Sequence, residues 1–241
     1  MPNKLCAREL GFVALNEAVR GMTGEIYIEE CYGERYIGAS ATRKTIIING
    51  TPGNALGAYL DGADIIVNGN AQDAVGDTMN DGRIIVHGSA GDALGYAMRG
   101  GVIYVRDNSG YRTGIHMKQY MDKRPVIVVG GSSGSFLGEY IAGGLIIALG
   151  IGGDGSAPVG RFTGTGMHGG EVFLRCSEKP DDLPEQVVCT KAAPGDMLRI
   201  ERYVREFSAI FGFDADGLLR DGYYMLTPNA SNPYKQLYTA N

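Results

Sequence analysis

The hydrophobic positions of this chain fall into short β-branched runs that return every nineteen residues, each run followed by a glycine-marked turn. One unit, residues 64–82 (DIIVNGNAQDAVGDTMNDG), aligns without a gap on the next, 83–101 (RIIVHGSAGDALGYAMRGG), and on the one before, 45–63 (TIIINGTPGNALGAYLDGA). A five-residue insertion within 118–125 interrupts the pattern. It resumes at 126–144 (VIVVGGSSGSFLGEYIAGG), and weaker copies begin near Ile26, Val102, Leu145 and Val172. Units this short and this rich in strand formers exclude helical repeats. If each unit is one coil, equivalent residues stack at the strand spacing of about 4.8 Å. The expected fold is then all-β: a right-handed single-stranded parallel β-helix of about seven coils, with short helical and extended flanks.

Side chains alternate across a strand, so the stack can be read by columns. Ile46, Ile65, Ile84, Ile103, Ile127, Ile146 and Val172 form one column expected to face inward; Ile48, Val67, Val86, Val105, Val129, Ala148 and Leu174 form another. A second corner adds Leu60, Met79, Met98, Met117 and Ile141, with methionine as flexible core filler. The column between the inward pair, Ile47, Ile66, Ile85, Tyr104, Val128, Ile147 and Phe173, is expected to face outward, yet all its members are apolar. A bare strip of that length exceeds what monomers tolerate, so it is covered either by the chain's own ends or by a partner. The irregular loops 118–125 and 150–160 project from a uniform surface. The first carries Lys118, Tyr120, Lys123 and Arg124, suited to an acidic or polar partner or simply to solvent.

Three regions follow: a helical flank at 1–23 with a short helix over 9–20, the repeat at 24–176, and a C-terminal flank at 177–241. In the last, Asp196 is the expected cap of a helix with Ile200, Tyr203, Val204, Phe207 and Phe211 on one face and Gly212 as its stop. An extended arm is expected from Leu226 onward. At least one flank should cap an open strand edge of the repeat.

Composition narrows the function classes. The 38 glycines are phased with the repeat, which marks regular turns and not a flexible linker. A net charge of −5 without a basic run excludes a nucleic-acid groove. The longest uncharged stretch, 140–153, is shorter than the roughly 20 residues of a membrane helix, and no signal-peptide pattern opens the chain, so a cytoplasmic location is expected. Cys6, Cys31, Cys176 and Cys189 lack metal-ligand spacing and read as reduced thiols.

The residues that resemble chemistry have structural readings beside them. GTGMHG at 164–169 matches GxGxxG but precedes a strand, whereas a dinucleotide fingerprint opens a helix. His87, His116 and His168 fall in different columns, and His168 is the one to mutate first. Asp73 and Asp92 are repeat equivalents that could hold a cation, but Asn54 precedes them in the same column, which favours turn residues bonding to backbone. Ser132, Ser133 and Ser135 have no identifiable base. No catalytic, cofactor or metal residue is assigned.

Glycine recurs at Gly38, Gly57, Gly76, Gly95 and Gly114, and the corner G-x-x-G-x-x-x-G is intact at Gly50, Gly53, Gly57, at Gly88, Gly91, Gly95 and at Gly131, Gly134, Gly138. This pattern resembles the GXGXG-motif β-helix domain, found as the C-terminal part of the glutamate synthase large subunit and in one of the subunits of tungsten or molybdenum formylmethanofuran dehydrogenase. The stretches RYIGA (35–39), GTPGNALGAYLDG (50–62), GNAQDAVGDTMNDG (69–82), GDALGYAMRGG (91–101), GYRTGIHMK (110–118) and GTGMHGG (164–170) are most similar to the glutamate synthase form in which the domain is a separate polypeptide. In that family, glutaminase chemistry uses an N-terminal cysteine on another domain, and FMN and iron–sulfur clusters serve a synthase domain. This chain opens Met1, Pro2. The resemblance therefore implies a noncatalytic assembly subunit in glutamate biosynthesis and nitrogen assimilation. Its partners would be glutaminase-type and FMN synthase-type subunits, or a second copy of itself, and the FMN and clusters would reside on those partners. The alternatives are a component like the GXGXG-bearing subunit of formylmethanofuran dehydrogenase and a β-helix polysaccharide-active enzyme using Asp73 and Asp92.

Overall fold

Each β-branched run becomes a strand whose neighbour in space is the next run in sequence. The computed structural model describes residues 3–229. Its elements in chain order are β1 (Asn3–Cys6), α1 (Ala7–Gly21), β2 (Gly24–Tyr32), β3 (Lys44–Thr51), β4 (Asp61–Asn68), β5 (Asp81–Val86), β6 (Val102–Val105), β7 (Val126–Val129), β8 (Ala142–Ala148), β9 (Gly169–Arg175), β10 (Val187–Lys191), α2 (Pro194–Met197), α3 (Glu201–Phe211), α4 (Ala215–Arg220) and β11 (Tyr223–Pro228). Strands β1 to β9 lie side by side in sequence order, all parallel, and β11 and then β10 extend the sheet antiparallel.

The expected right-handed single-stranded parallel β-helix is therefore corrected. The named strands form one mixed, mostly parallel sheet of 11 strands, open at β1 and β10, with helices added in an α/β-like arrangement. Only one segment of each repeat carries regular strand pairing. The rest of the repeat is glycine- and Asx-rich turn, touching its neighbours through single bridges such as Ala71 to Ala90, Ala90 to Ser109 and Ser109 to Ser133. The nineteen-residue period specifies that one run lies beside the next; it does not make every segment of the unit a strand.

The register does follow the period. Ile47 pairs with Ile66, Ile66 with Ile85, Ile85 with Tyr104, and the column continues through Val128 and Ile147 to Phe173. On either side of it the two inward columns have no exposed surface. Burying each such side chain is worth roughly 1.5–3 kcal/mol, and a one-residue slip would turn both columns to solvent, so burial fixes the register.

The turns stack as tightly as the strands. Tyr36, Gly38 and Ser40 have positive φ, as do Ala55, Gly57 and Tyr59 and their equivalents further on, so every second turn residue is left-handed. This alternation sends N–H and C=O groups to neighbouring turns: Tyr36 N–H donates to Asn54 O (3.0 Å), Gly57 N–H to Ile37 O (2.9 Å) and Ser40 N–H to Ala58 O (2.8 Å). At Gly95 it is packing that demands glycine: Ala93 in the same turn shares its left-handed backbone (φ 56° against 67°), but a Cβ at Gly95 would lie 2.4 Å from Ile127 Cδ1.

The flanks finish the core. α1, bent at Gly11 (φ 67°), buries Leu15 and Val19 with the inner columns, and Lys44 Nζ donates to Val19 O (2.7 Å) at its C-terminus. Asp196 does not cap the long helix. It sits in the short α2 and accepts from Ala193 N–H (2.9 Å), while α3 starts at Glu201 and stops, as expected, at a left-handed Gly212. Strand β11 takes in Leu226, where an extended arm was expected; the remainder of that arm, 230–241, lies outside the described residues.

A candidate partner interface

The outward apolar column has two fates. From Ile85 to Phe173 it is roofed by the C-terminal flank: Ile85, Tyr104, Val128, Ile147 and Phe173 form one cluster with Ile200, Tyr203, Val204 and Phe207. Tyr104, Val128, Ile147 and Phe173 are wholly buried there, and Ile85 nearly so. Of the two expected coverings, the chain's own end or a partner, α3 supplies the first for these five residues. The seat also has polar fasteners. Tyr104 donates its phenol to Glu206 Oε2 (2.7 Å), and Arg83 reaches Glu206 (3.5 Å) and Asp64 (3.0 Å). Burial first, and then Glu206, push the Tyr104 phenol well above the ordinary tyrosine range.

Ile47 and Ile66, at the other end of the column, stay half-buried, Ile66 packing against the edge of the roofed cluster, and Tyr27 of β2 continues their row. Polar groups rim this strip. Asn68 Nδ2 donates to Asn49 (2.7 Å), Asn49 Nδ2 donates to Glu29 (2.8 Å), and Glu25 and Asp64 flank the opposite side.

The 118–125 insertion is folded back on the protein. Tyr120 and Lys123 exchange backbone hydrogen bonds of 3.2 and 3.0 Å, closing a tight hairpin. Lys123 Nζ lies 3.0 Å from Asp81 and 3.7 Å from Asp61, and Arg124 pairs with Glu171, which Arg199 also holds. Burial would raise the Asp81 carboxyl, but Lys123 and the Gly82 N–H outweigh it and leave the group below its ordinary value. Lys123 and Arg124 are thus engaged within the chain. Lys118, Tyr120 and Met121 face solvent, Met121 at 78% exposure.

The carboxylates read as chemical candidates are used in stacking. Asp73 N–H donates to Asn54 Oδ1 (3.3 Å), Asp92 N–H to Asp73 Oδ1 (2.9 Å) and Tyr111 N–H to Asp92 Oδ1 (2.8 Å), so each side chain caps the next repeat. A second ladder runs through Asn70, Ser89 and Asn108 to the Ser132 N–H. Ser133 bonds Ser109 (2.7 Å) inside the core, and Ser135 Oγ accepts from Arg161 N–H (3.1 Å). His87 packs edge-on against Phe211 at 5.1 Å; burial and then Arg106 lower its pKa. His168 Nδ1 lies 3.0 Å from Gly166 O, within the turn that precedes β9. Among the described residues no group of three or more His, Cys, Asp or Glu is placed to hold a metal. Burial, with Glu34 adding to it, pushes the Cys31 thiol up to about 12, and burial moves Cys176 to about 11. A cleft of about 460 Å³ lies between α1 and the first turn, lined by Phe12, Asn16, Tyr36, Ser40 and Lys44 among others.

Column reading by strands passes over the turn edge, which is aromatic. Phe136 stacks on Phe162 (5.0 Å between centroids) with the Arg112 guanidinium over Phe136 (5.6 Å), and beside them His116 stacks on Tyr140 (5.3 Å, 9°). The signal was available in the sequence as aromatics recurring at turn positions two residues either side of the phased glycine.

The family model described as the GXGXG motif matches residues 12–223. A protein of Methanocaldococcus jannaschii named only as uncharacterized is 40% identical over 247 residues, covering 97% of this chain and 95% of its own length. A chain of the formyltransferase/hydrolase complex (FhcABCD) from Methylorubrum extorquens, solved in complex with methylofuran, superposes with a TM-score of 0.66 at 18% identity, covering 91% of this chain and 88% of that one. At that identity the likeness is one of fold. No helix among the described residues is long and apolar enough to cross a membrane.

Proposed function

Since this chain belongs to the GXGXG motif family, we propose that it is an assembly subunit of a multisubunit enzyme, holding catalytic partners on its surface and turning over no substrate itself. The observation that carries this reading is the deployment of polar side chains: Asn54, Asp73, Asp92, Asn70 and Asn108 accept from the backbone of the next repeat instead of pointing at a shared site. The same bonds speak against the polysaccharide-active alternative. The half-buried strip of Tyr27, Ile47 and Ile66 and the hairpin tip at Tyr120 supply contact surface of the kind subunit interfaces use.

Two complexes compete as the setting. The fold-level likeness to a chain of a formyltransferase/hydrolase complex favours the formylmethanofuran dehydrogenase-type reading. The glutamate synthase-type reading, with FMN and iron–sulfur clusters on partner subunits, is supported by the motif stretches between residues 35 and 170. Co-expression of the full chain with each set of subunits decides between them. Stable co-purification with the molybdopterin-containing and formyl-transferring set supports the first; co-purification with the glutaminase and FMN subunits supports the second. Association with neither overturns the proposal.

A further inference from the structure

We infer that the cleft between α1 and the first turn, 36–42, receives a short peptide segment of a partner subunit, which supplies the backbone rung that the stack of turns lacks at this end. This rests on the assembly-subunit reading and names the place and the chemistry of one contact.

Each later turn is bonded to the one before it. The glycine N–H at the turn centre donates backward at every step: Gly57 to Ile37 O (2.9 Å), Gly76 to Leu56 O (2.8 Å) and Gly95 to Val75 O (2.8 Å). The residue four places on does the same, Asp61 to Ala41 O (3.0 Å), Asn80 to Leu60 O (2.8 Å) and Arg99 to Met79 O (2.8 Å). The equivalent donors of the first turn are Gly38 and Thr42. Neither N–H meets an acceptor among the described residues. Ala39 O, whose equivalent Ala58 O accepts from Ser40 N–H, receives no donor either.

α1 stands where the missing rung belongs and replaces only part of it. Leu15 and Val19 close the core, and Asn16 Nδ2 donates to Arg35 O (2.8 Å), nineteen residues on. A helix spends its backbone on itself, and Met22 N–H takes Ala18 O (3.2 Å), so Gly38 and Thr42 gain nothing from it. What remains is the cleft of about 460 Å³, with Phe12 and Tyr36 in its walls at 41% and 50% exposure.

The unpaired groups select the occupant. Two N–H donors four residues apart, with a C=O between them, complement a polypeptide backbone that presents two carbonyls and an N–H, as each rung presents to the next. Main-chain bonds of this kind hold a segment in place while the two rings receive its apolar side chains, which is strand addition carried over to a turn. In a second copy the corresponding carbonyls are Thr163 O and Met167 O of the last turn, and Val187 packs onto that turn at Gly164. A different polypeptide is therefore assigned to the cleft.

The test is amide hydrogen exchange, read by NMR on the full isotope-labelled chain, free and with whichever subunit set co-purifies with it. The Gly38 and Thr42 N–H groups are expected to exchange at least about tenfold more slowly in the complex, whereas Gly57, already bonded, changes little. Ala39→Tyr fills the cleft with a side chain that Tyr96 carries at the equivalent position three repeats later. It is expected to weaken binding by about thirtyfold or more at an unchanged melting temperature; the exchange measurement needs no variant. A complex in which both amides exchange as in the free chain, or wild-type affinity in a folded Ala39→Tyr, overturns the cleft contact and leaves the assembly reading intact. Protection that grows with concentration in the chain alone places a second copy there and overturns the partner assignment. No association with either subunit set overturns both inferences.

Discussion

The two halves of the outer sheet face are made from the same kind of column and end differently. Between β5 and β9 the column widens to Tyr104 and Phe173, and α3 closes over it with Phe207 at the centre and Glu206 fastened by Tyr104 and Arg83. Between β2 and β4 the column is Tyr27, Ile47 and Ile66, rimmed by Glu29, Asn49 and Asn68, and its members stay only half-buried, with Ile66 at the edge of the roofed cluster. Hydropathy alone does not separate the halves. Polar anchoring does, since Arg83 and Tyr104 give an approaching helix a defined place to dock and the N-terminal half offers no such pair.

Four experiments would break or sharpen that contrast. The largest effect is expected from Phe207→Ala, which empties the centre of the covered half: about 3–5 kcal/mol lost in urea denaturation, with α3 detaching first in hydrogen exchange. Gly95→Ala strikes the inner core beneath the covered half, combining a left-handed alanine with a Cβ pressed on Ile127, and should cost about 2–4 kcal/mol by the same measurement. A loss as small as a surface substitution would mean the turn can relax away from the core.

A third, smaller effect is alkaline. Cys31 and Cys176 keep their protons in the folded protein up to about 12 and about 11, while the unfolded thiols ionise near 9.0. A folded-state pKa above the unfolded one gives stability that is complete below the unfolded value and is lost as pH rises toward the folded one. The melting temperature should therefore fall by several degrees, about 3–6 °C, between pH 8.5 and 10.5, and Cys31→Ser should flatten that slope. The smallest effect on folding belongs to Ile66→Ser on the N-terminal half: under about 1 kcal/mol in denaturation, because the side chain keeps only part of its burial. Its consequence should appear in partner binding instead.

Much of this was legible in the sequence, for definite reasons. Isoleucines nineteen apart are strand neighbours because strand alternation ties burial to register, so the places of Ile46, Ile65 and Ile84 are legible from the sequence alone. Gly212 was readable as a helix stop because only the left-handed conformation is needed there. The architecture was overread: periodicity gives adjacency, and treating every segment of a repeat as strand turned one open sheet into a complete β-helix. The partition of the outer column was out of reach, because it depends on contacts such as Glu206 to Tyr104 between residues 102 apart in sequence. Asp196 was misplaced for a local reason, since Pro194 opens a short helix just upstream of the long one. The aromatic turn edge was missed because its members sit on a left-handed zigzag that neither the helical nor the strand period describes.

The Asx ladder makes the protein divisible. Removing 64–82 would bring Ile84 beside Ile46 and Ile85 beside Ile47, and the Asp92 N–H would find Asn54 Oδ1 where it had found Asp73, so every junction would be of a type already present. Length along the stack can then change in whole increments of about 4.8 Å. The open strip, lying in those removable units, behaves as an adjustable ruler: lineages could lengthen or shorten it to fit a different companion without disturbing the helix at the far end.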